Sequence, residues 1–370
     1  MKRKIDAAKR KILQNIVSGT IGEQAFLSSI RELELITGCC RQTVHNALKE
    51  LAAVGVVEAL PRRGFRVLNA KLAKHQLTPV GEMQIAFVLP RWIMHGVSSP
   101  LFKDILLGAE EALIANGGNL VYMTLPWSAN EKNFNLSRLN FINRKIAGAL
   151  LVGPTPDFIA EKFITTCGVP AVLVDNISDL PNTTCVSQDN FSGAARAVRY
   201  LNERGHRRIG MISVNPRKMR LNERFAGFYA EMHRRGLLSE IAFVEESYWD
   251  HDTEEGGAEA ARSLLSKGLN GATAVLILND NMALGAMREF QKNGIVIPDD
   301  LSIITIGNDP VVAELCSPRL TTLGVDYQAM GRIGLNALLD IIRFPSSSGG
   351  TTLLNMTLNE QESVCTITKQ

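Results

Sequence analysis

The sequence predicts an α/β protein, with an N-terminal winged helix-turn-helix joined to a body of parallel sheets flanked by helices. Three observations carry that expectation. Residues 41–67 read as an amphipathic helix, a Gly stop, a short strand, a basic turn and a second short strand. From Gln84 onward, short apolar runs alternate with amphipathic helices. The charge also changes sign along the chain. Residues 1–80 hold 14 Lys+Arg against 6 Asp+Glu, a balance of +8, while the remainder holds 26 against 31, a balance of −5. A basic first fifth on an acidic body points to a polyanionic partner for that part alone.

In the first segment Ile5, Ala8, Ile12, Leu13, Ile16 and Val17 recur at helical spacing, and Gly19 stops that helix. Ser29-Ile30-Arg31-Glu32 is a capping box that opens a second helix, to about Thr37. Gly38 makes the turn into a third helix, about Arg41 to Val54, which Gly55 ends. Val56–Leu60 and Phe65–Leu68 read as strands around Pro61-Arg62-Arg63-Gly64. These elements assign residues 1–70 to the winged domain. Residues 71–83, with Thr78-Pro79-Val80-Gly81, lack periodicity and read as a linker, and 84–370 form the body.

In the body, strands are expected at Ile85–Leu89, Asn119–Thr124, Ala147–Val152, Ala171–Val174, Ile209–Ile212, Ala242–Glu245, Ala274–Ile277 and Ile303–Ile306. Helices are expected in most of the gaps between them, for example at 101–116, 190–204, 221–235, 254–267, 281–293 and 328–343. Repeated β-α units call for parallel sheets covered on both faces, and so many strands are better housed in two sheets than in one. Ligand sites in such folds lie at the carboxyl ends of the strands.

Other classes are set aside by what the chain lacks. At ~150 residues per domain, 370 residues suggest two or three domains. No run of 18 apolar residues exists, so no membrane contact is expected. The charged N-terminus carries no apolar secretory core, and a cytoplasmic protein is expected. The six cysteines form no CxxC pair and no metal spacing, so neither a metal nor a cofactor is expected. Gly-x-Ser-x-Gly, His-Glu-x-x-His, P-loop and Gly-x-Gly-x-x-Gly motifs are absent and the six histidines are scattered, so enzymatic activity is not expected.

A recognition helix sets its N-terminal side chains against base edges in the major groove while flanking cations hold phosphates. Arg41, Gln42, Thr43 and His45 lie on the first two turns of the third helix. Arg41 is the candidate for guanine, whose two acceptors match a guanidinium fork. Arg31 at the start of the second helix, and Arg62, Arg63 and Gly64 on the wing, are candidates for the DNA backbone or minor groove.

Residues 10–68 resemble the GntR family of winged-helix repressors. The resemblance rests on Leu27-Ser28-Ser29-Ile30-Arg31-Glu32-Leu33, Cys40-Arg41-Gln42-Thr43-Val44-His45-Asn46-Ala47-Leu48, Leu51, Gly55 and Arg63-Gly64-Phe65-Arg66-Val67. The family usually has Pro at Ser28, Ser at Cys40 and Arg at His45, so operator sequence does not carry over. Cys40 is also a poorer N-cap than Ser.

The body carries landmarks that are weak singly. They are Gly205-His206-Arg207-Arg208-Ile209-Gly210, Arg224-Phe225-Ala226-Gly227-Phe228, Leu278-Asn279-Asp280-Asn281-Met282-Ala283-Leu284-Gly285, Ile297-Pro298-Asp299-Asp300-Leu301-Ser302 and Pro318-Arg319-Leu320-Thr321-Thr322. Alone, Gly205 is a helix stop and Asp280 a helix cap. In their order and spacing they resemble the effector core of the LacI family, which shares its fold with periplasmic sugar-binding proteins.

That resemblance covers about residues 84–368. It implies two lobes joined by three crossovers with a small ligand between them. Lobe 1 would hold about 84–187 and 325–350. Lobe 2 would hold 188–324 and 351–370, finishing through a strand around Thr351–Thr357. The Arg of the Arg-x-x-Gly-Phe motif, here Arg224, bonds the effector in that family, and Asn279 occupies a cleft-facing position. Asn308 stands where the family often has the first Asp of a pair, with Asp309 second.

Arg91, Trp92, Phe102 and Asp175 are further effector candidates, as are Asp189, Phe191 and Trp249. The LacI-type hinge helix has no counterpart in 69–83, and the whole resembles arabinose-repressor-type chimeras. The expected function is a homodimeric repressor of a palindromic double-stranded DNA operator, gated by a small-molecule effector, a sugar. The alternative is a periplasmic or surface solute-binding protein, which the basic head opposes.

Overall fold

The computed structural model describes residues 2–18, 25–61, 63–70, 73, 83–90, 99–125, 146–214, 222–247, 253–307, 309–344 and 349–367. The head contains α1 (Lys2–Val17), α2 (Ile30–Thr37), α3 (Arg41–Ala53) and an antiparallel wing of β1 (Val57–Leu60) and β2 (Gly64–Val67). Ala8, Ile12, Leu13 and Ile16 bury one stripe of α1 against Val44, Ala47, Leu48 and Leu51 of α3. Each large apolar side chain so buried contributes roughly 1.5–3 kcal/mol. The segment before α2 adds a third rung to the wing, for Leu27 N–H donates to Phe65 O at 2.8 Å and Val67 N–H to Ala25 O at 2.9 Å.

The body begins with β3 (Gln84–Pro90), α4 (Pro100–Ala115), β4 (Asn119–Leu125), β5 (Ile146–Val152), α5 (Asp157–Cys167), β6 (Ala171–Val174) and β7 (Thr184–Gln188). It continues with α6 (Asn190–Glu203), β8 (Ile209–Val214), α7 (Asn222–Arg234), β9 (Ile241–Ser247), α8 (Glu254–Lys267), β10 (Ala274–Ile277), α9 (Asp280–Lys292), β11 (Ser302–Ile306), α10 (Pro310–Leu315) and β12 (Thr321–Gly324). α11 (Tyr327–Arg343), β13 (Gly350–Leu354) and β14 (Thr357–Asn359) complete it.

Two six-stranded sheets result, in the orders β13-β7-β6-β5-β3-β4 and β14-β12-β11-β10-β8-β9. The first sheet is parallel throughout. Among the described strands of the second, only β14 runs antiparallel. The two-residue side-chain period explains why the strand cores read as unbroken apolar runs. Ile85, Phe87 and Leu89 of β3 face one core cluster, while Ala86 and Val88 face another across the sheet.

Reciprocal glycines set the closest helix contacts in each lobe. A Cβ on Gly108 of α4 would lie 1.9 Å from Gln328 O, and one on Gly331 of α11 would lie 2.0 Å from Ile105 O. A Cβ on Gly257 of α8 would lie 1.9 Å from Met282 O, and one on Gly285 of α9 would lie 1.8 Å from Glu254 O. Gly285 thus belongs to its motif because the helices touch backbone to backbone there.

The chain crosses between sheets after β7, after β12 and between β13 and β14. α11 returns to pack on α4, β5, β6 and β7. One expectation is corrected here. The strand around Thr351–Thr357 does not lie wholly in the second lobe. Gly350–Leu354 pairs in parallel with Thr184–Gln188 of the first sheet, and only Thr357–Asn359 pairs with β12. The open edge of β7 supplies the reason, and Asp189 N–H extends the pairing to Leu354 O at 2.9 Å. The strands β7 and β12 were not expected.

Candidate functional site

On the head, Ser29 caps α2 reciprocally. Its side chain accepts from Glu32 N–H at 3.3 Å, and Glu32 Oε2 accepts from Ser29 N–H at 2.8 Å. Gly38 ends α2 in the left-handed region at φ 68°. Cys40 occupies the N-cap of α3 without a side-chain cap bond. Its sulfur lies 3.3 Å from Thr43 Oγ1, and that contact lowers the thiol pKa.

The buried stripe Val44–Ala47–Leu48–Leu51 leaves the other face of α3 to solvent. Arg41 and Gln42 are exposed on that face, and Thr43 and His45 are half-buried. Gln42 Nε2 donates to Asn46 Oδ1 at 3.1 Å, and the His45 ring meets Phe65 of the wing edge-on, centroids 6.4 Å apart. Arg31 and Arg63 are exposed too, and the Arg63 guanidinium lies 5.8 Å from the Phe26 ring centroid. Gly64 takes φ 90°, a left-handed value that suits the wing turn to glycine. Arg62 lies outside the described residues. The described candidates thus lie on the recognition helix, at the start of α2 and on the wing, as a groove-reading surface requires.

In the body, Arg224 on the first turn of α7 is buried, 6% exposed. Its Nε donates to Asn190 Oδ1 at 2.7 Å, and its Nη1 donates to Leu278 O and to Ile306 O, the latter at 3.2 Å. One guanidinium therefore ties the carboxyl ends of β10 and β11 to the start of α6. Asn279 Oδ1 caps α9 by accepting from Met282 N–H at 2.9 Å, and its buried Nδ2 finds no partner among the described residues.

Asp280, which the sequence reading offered as a cap, has another task. Its buried carboxylate accepts from the Thr305 hydroxyl and, at 2.9 Å, from Asp309 N–H. Burial raises its pKa. A Cβ on Gly307 would lie 2.3 Å from that carboxylate, so the chain after β11 wraps around it.

In the first lobe, Asp175 follows β6 with φ 56°, a left-handed strain of about 1 kcal/mol for a non-glycine residue. Asp175 Oδ1 accepts from Gln188 Nε2 at 3.1 Å. Gln188 ends β7, is 5% exposed, and its Oε1 is buried with no partner among the described residues. An orphaned buried polar atom costs roughly 1–3 kcal/mol unless water or a ligand meets it. The sequence reading missed Gln188, because Thr184-Cys185-Val186-Ser187-Gln188 lacks the apolar run that marks its sister strands.

Tyr327 opens α11 just after the second crossover. Burial pushes the Tyr327 phenol pKa well up, and Asp175 of one lobe acts on the same hydroxyl as Arg224, Asp280 and Asp309 of the other. Other candidates have structural tasks. Asp189 caps α6 by accepting from Ser192 N–H at 2.9 Å, and Asp309 caps α10 by accepting from Val311 N–H at 3.0 Å and Val312 N–H at 3.3 Å. Phe102 sits in the continuous core at 8% exposure, so its ring is covered where a stacking face was expected. Phe191 is 45% exposed. Arg91, Trp92, Trp249 and Asn308 lie outside the described residues.

Comparison with known proteins matches residues 4–67 to the family described as Bacterial regulatory proteins, gntR family, and residues 198–364 to the Periplasmic binding protein-like domain. The HTH-type transcriptional repressor CytR of Escherichia coli (strain K12) is 30% identical over 267 residues, 72% of this chain and 76% of that protein. Among solved structures, a LacI family transcriptional regulator from Enterococcus faecium with bound ribose superposes with TM-score 0.63 at 23% identity, covering 77% of this chain and all of that one. The lac repressor dimer bound to operator and an anti-inducer superposes with TM-score 0.65 at 21% identity, covering 81% and 100%.

Proposed function

The chain belongs to the LacI family of transcriptional repressors, here behind a gntR-type head, and on that premise we propose a homodimeric repressor released from its operator by a sugar. One observation supports this most. Two buried polar atoms without partners among the described residues stand at the carboxyl ends of strands in different lobes, Gln188 Oε1 and Asn279 Nδ2, and Arg224 is bonded to the carbonyl of Leu278, the residue before Asn279. An effector seated between the lobes would satisfy both, and so favours the closed form by its differential affinity alone.

The reading end is the surface of Arg31, Arg41, Gln42, Thr43, His45, Arg62, Arg63 and Gly64. In the dimer, two heads reach half-sites about 34–36 Å apart or a multiple of it, so a small rotation of the lobes breaks simultaneous contact. Arg224, Asn279 and Asp175 are assigned to the effector, with Arg91, Trp92 and Asn308 as further contacts. The protein works in the cytoplasm, where operator DNA is. No described helix is long and apolar enough to cross a membrane. No catalytic step is part of this reading.

Fluorescence anisotropy on DNA from upstream of the protein's own reading frame tests it. Specific binding should weaken with salt, with a log–log slope of about −0.9 per phosphate contact. D-ribose, the first sugar to try, should weaken it further. Absence of specific, salt-sensitive binding would sink the repressor assignment. Binding indifferent to ribose and to other neutral sugars would sink the gating.

A further inference from the structure

We propose that Gln188 is a specificity-determining residue of the cleft, accepting a hydrogen bond from the effector while Asn279 in the opposite lobe donates one to it. This rests on the effector reading above and sharpens it to a chemical class. A primary amide can present either its oxygen or its nitrogen to a ligand, because the group can be turned over. Neither amide has that freedom here.

Gln188 Nε2 donates to Asp175 Oδ1 at 3.1 Å. A carboxylate offers acceptors only, so turning the amide would set oxygen against oxygen. Gln188 Oε1 is therefore held facing away from Asp175, buried, able only to accept and without a partner among the described residues. The logic at Asn279 has the opposite sense. Its Oδ1 accepts from Met282 N–H at 2.9 Å, and a backbone N–H can only donate. The nitrogen is left buried and without a partner among the described residues, able only to donate.

The two lobes thus demand opposite things of one ligand, a donor toward β7 and an acceptor toward β10. Hydroxyl groups satisfy both demands, since each donates once and accepts twice. A phosphate monoester or a carboxylate offers acceptors alone. At Gln188 it would meet a carbonyl oxygen, with the Asp175 carboxylate directly behind. The cleft therefore takes a polyhydroxylated molecule with a hydroxyl seated on Gln188, and an anionic group cannot occupy that position.

Titration calorimetry with D-ribose and its single-deoxy analogues tests the assignment. On the wild type, one deoxy position should bind at least tenfold more weakly than ribose. Gln188→Met should bind ribose at least tenfold more weakly and lose nothing further with that same analogue. Wild-type affinity in Gln188→Met, or two losses that multiply, overturns the proposal. A merely structural role, or a buried water on Oε1, has its own signature in the unliganded protein. Gln188→Met loses the bond to Asp175 but also removes an unsatisfied acceptor, so its Tm should fall by less than about 3 °C. A larger fall overturns the assignment. If ribose fails to bind the wild type, ribose is excluded as the effector, and this Tm comparison alone decides the role of Gln188.

Discussion

The head and the cleft hold their functional side chains in opposite ways. Arg31, Arg41, Gln42 and Arg63 are exposed, held by the helix and wing beneath them. Arg224, Gln188 and Asp280 are nearly sealed from water, and neighbours settle their geometry atom by atom. A reader of DNA must leave its cations free to meet phosphates and base edges. A sensor must hold its groups still, so that binding energy goes into moving lobes and not into ordering side chains. Substitutions in the head should therefore change DNA binding with little change in folding, whereas loss of a cleft group as fully partnered as Arg224 should change effector binding and folding together.

The sharpest test is Arg224→Ala. It abandons two carbonyls and the Asn190 oxygen in a buried place, so a loss of about 3 kcal/mol or more is expected, together with effector binding. Denaturant unfolding and calorimetry would show it, and an unchanged midpoint would break the contrast. Gly285→Ala follows, because its Cβ would lie 1.8 Å from Glu254 O. Forcing α8 and α9 apart should cost about 1–3 kcal/mol in the body and leave the head's unfolding transition in place.

On the head, Arg41→Ala should cost about 1–3 kcal/mol at one base position and relax specificity there. Arg63→Ala should weaken all sequences alike and reduce the salt slope by about one phosphate. Neither should shift the midpoint of thermal unfolding. A fall for Arg41→Ala would show that the exposed surface is structural after all.

The smallest effects lie in pH. His206 is buried between Thr273 Oγ1 at 3.0 Å and Cys365 O at 3.1 Å, and burial lowers its pKa. The unfolded chain then takes up the proton first as pH falls. Its stabilising contribution is complete above about pH 6.5 and declines below that value. Glu231 acts in a lower window. The Arg234 fork, helped by Arg235 and Arg199, holds its carboxyl at about 2, so its contribution is complete above about pH 4.5 and is lost toward pH 2. Melting curves against pH for His206→Gln and Glu231→Gln should each flatten only their own limb.

Legibility in the sequence follows the same divide. The head's capping box, Gly stops and basic turn are local signals, and its candidate surface could be named residue by residue. The body's strand alternation was equally plain where the cores are apolar. What escaped was set by distant pairing. Thr184–Gln188 is polar and became a strand because β6 and β13 flank it. Gln188 gains its meaning from Asp175, thirteen positions earlier. The expected cap of Asp280 falls to Asn279, for the cap belongs to the residue with extended backbone, and Asp280 is left to hold the turn after β11. The position of β13 could not be read from its own residues, since the open edge that recruits it lies on β7.

The placement of α11 and β13 has a consequence for the order in which the molecule can be built. A ribosome delivers the head first, with its own closed core. The first lobe then waits, one flank of its sheet bare and α4 without its glycine-matched partner, until the whole second lobe has been synthesised. A chain cut short anywhere between β7 and α11 would carry a finished reader on an unfinished sensor. Such fragments are natural prey for chaperones and proteases, and any that survive would bind DNA with nothing to release them.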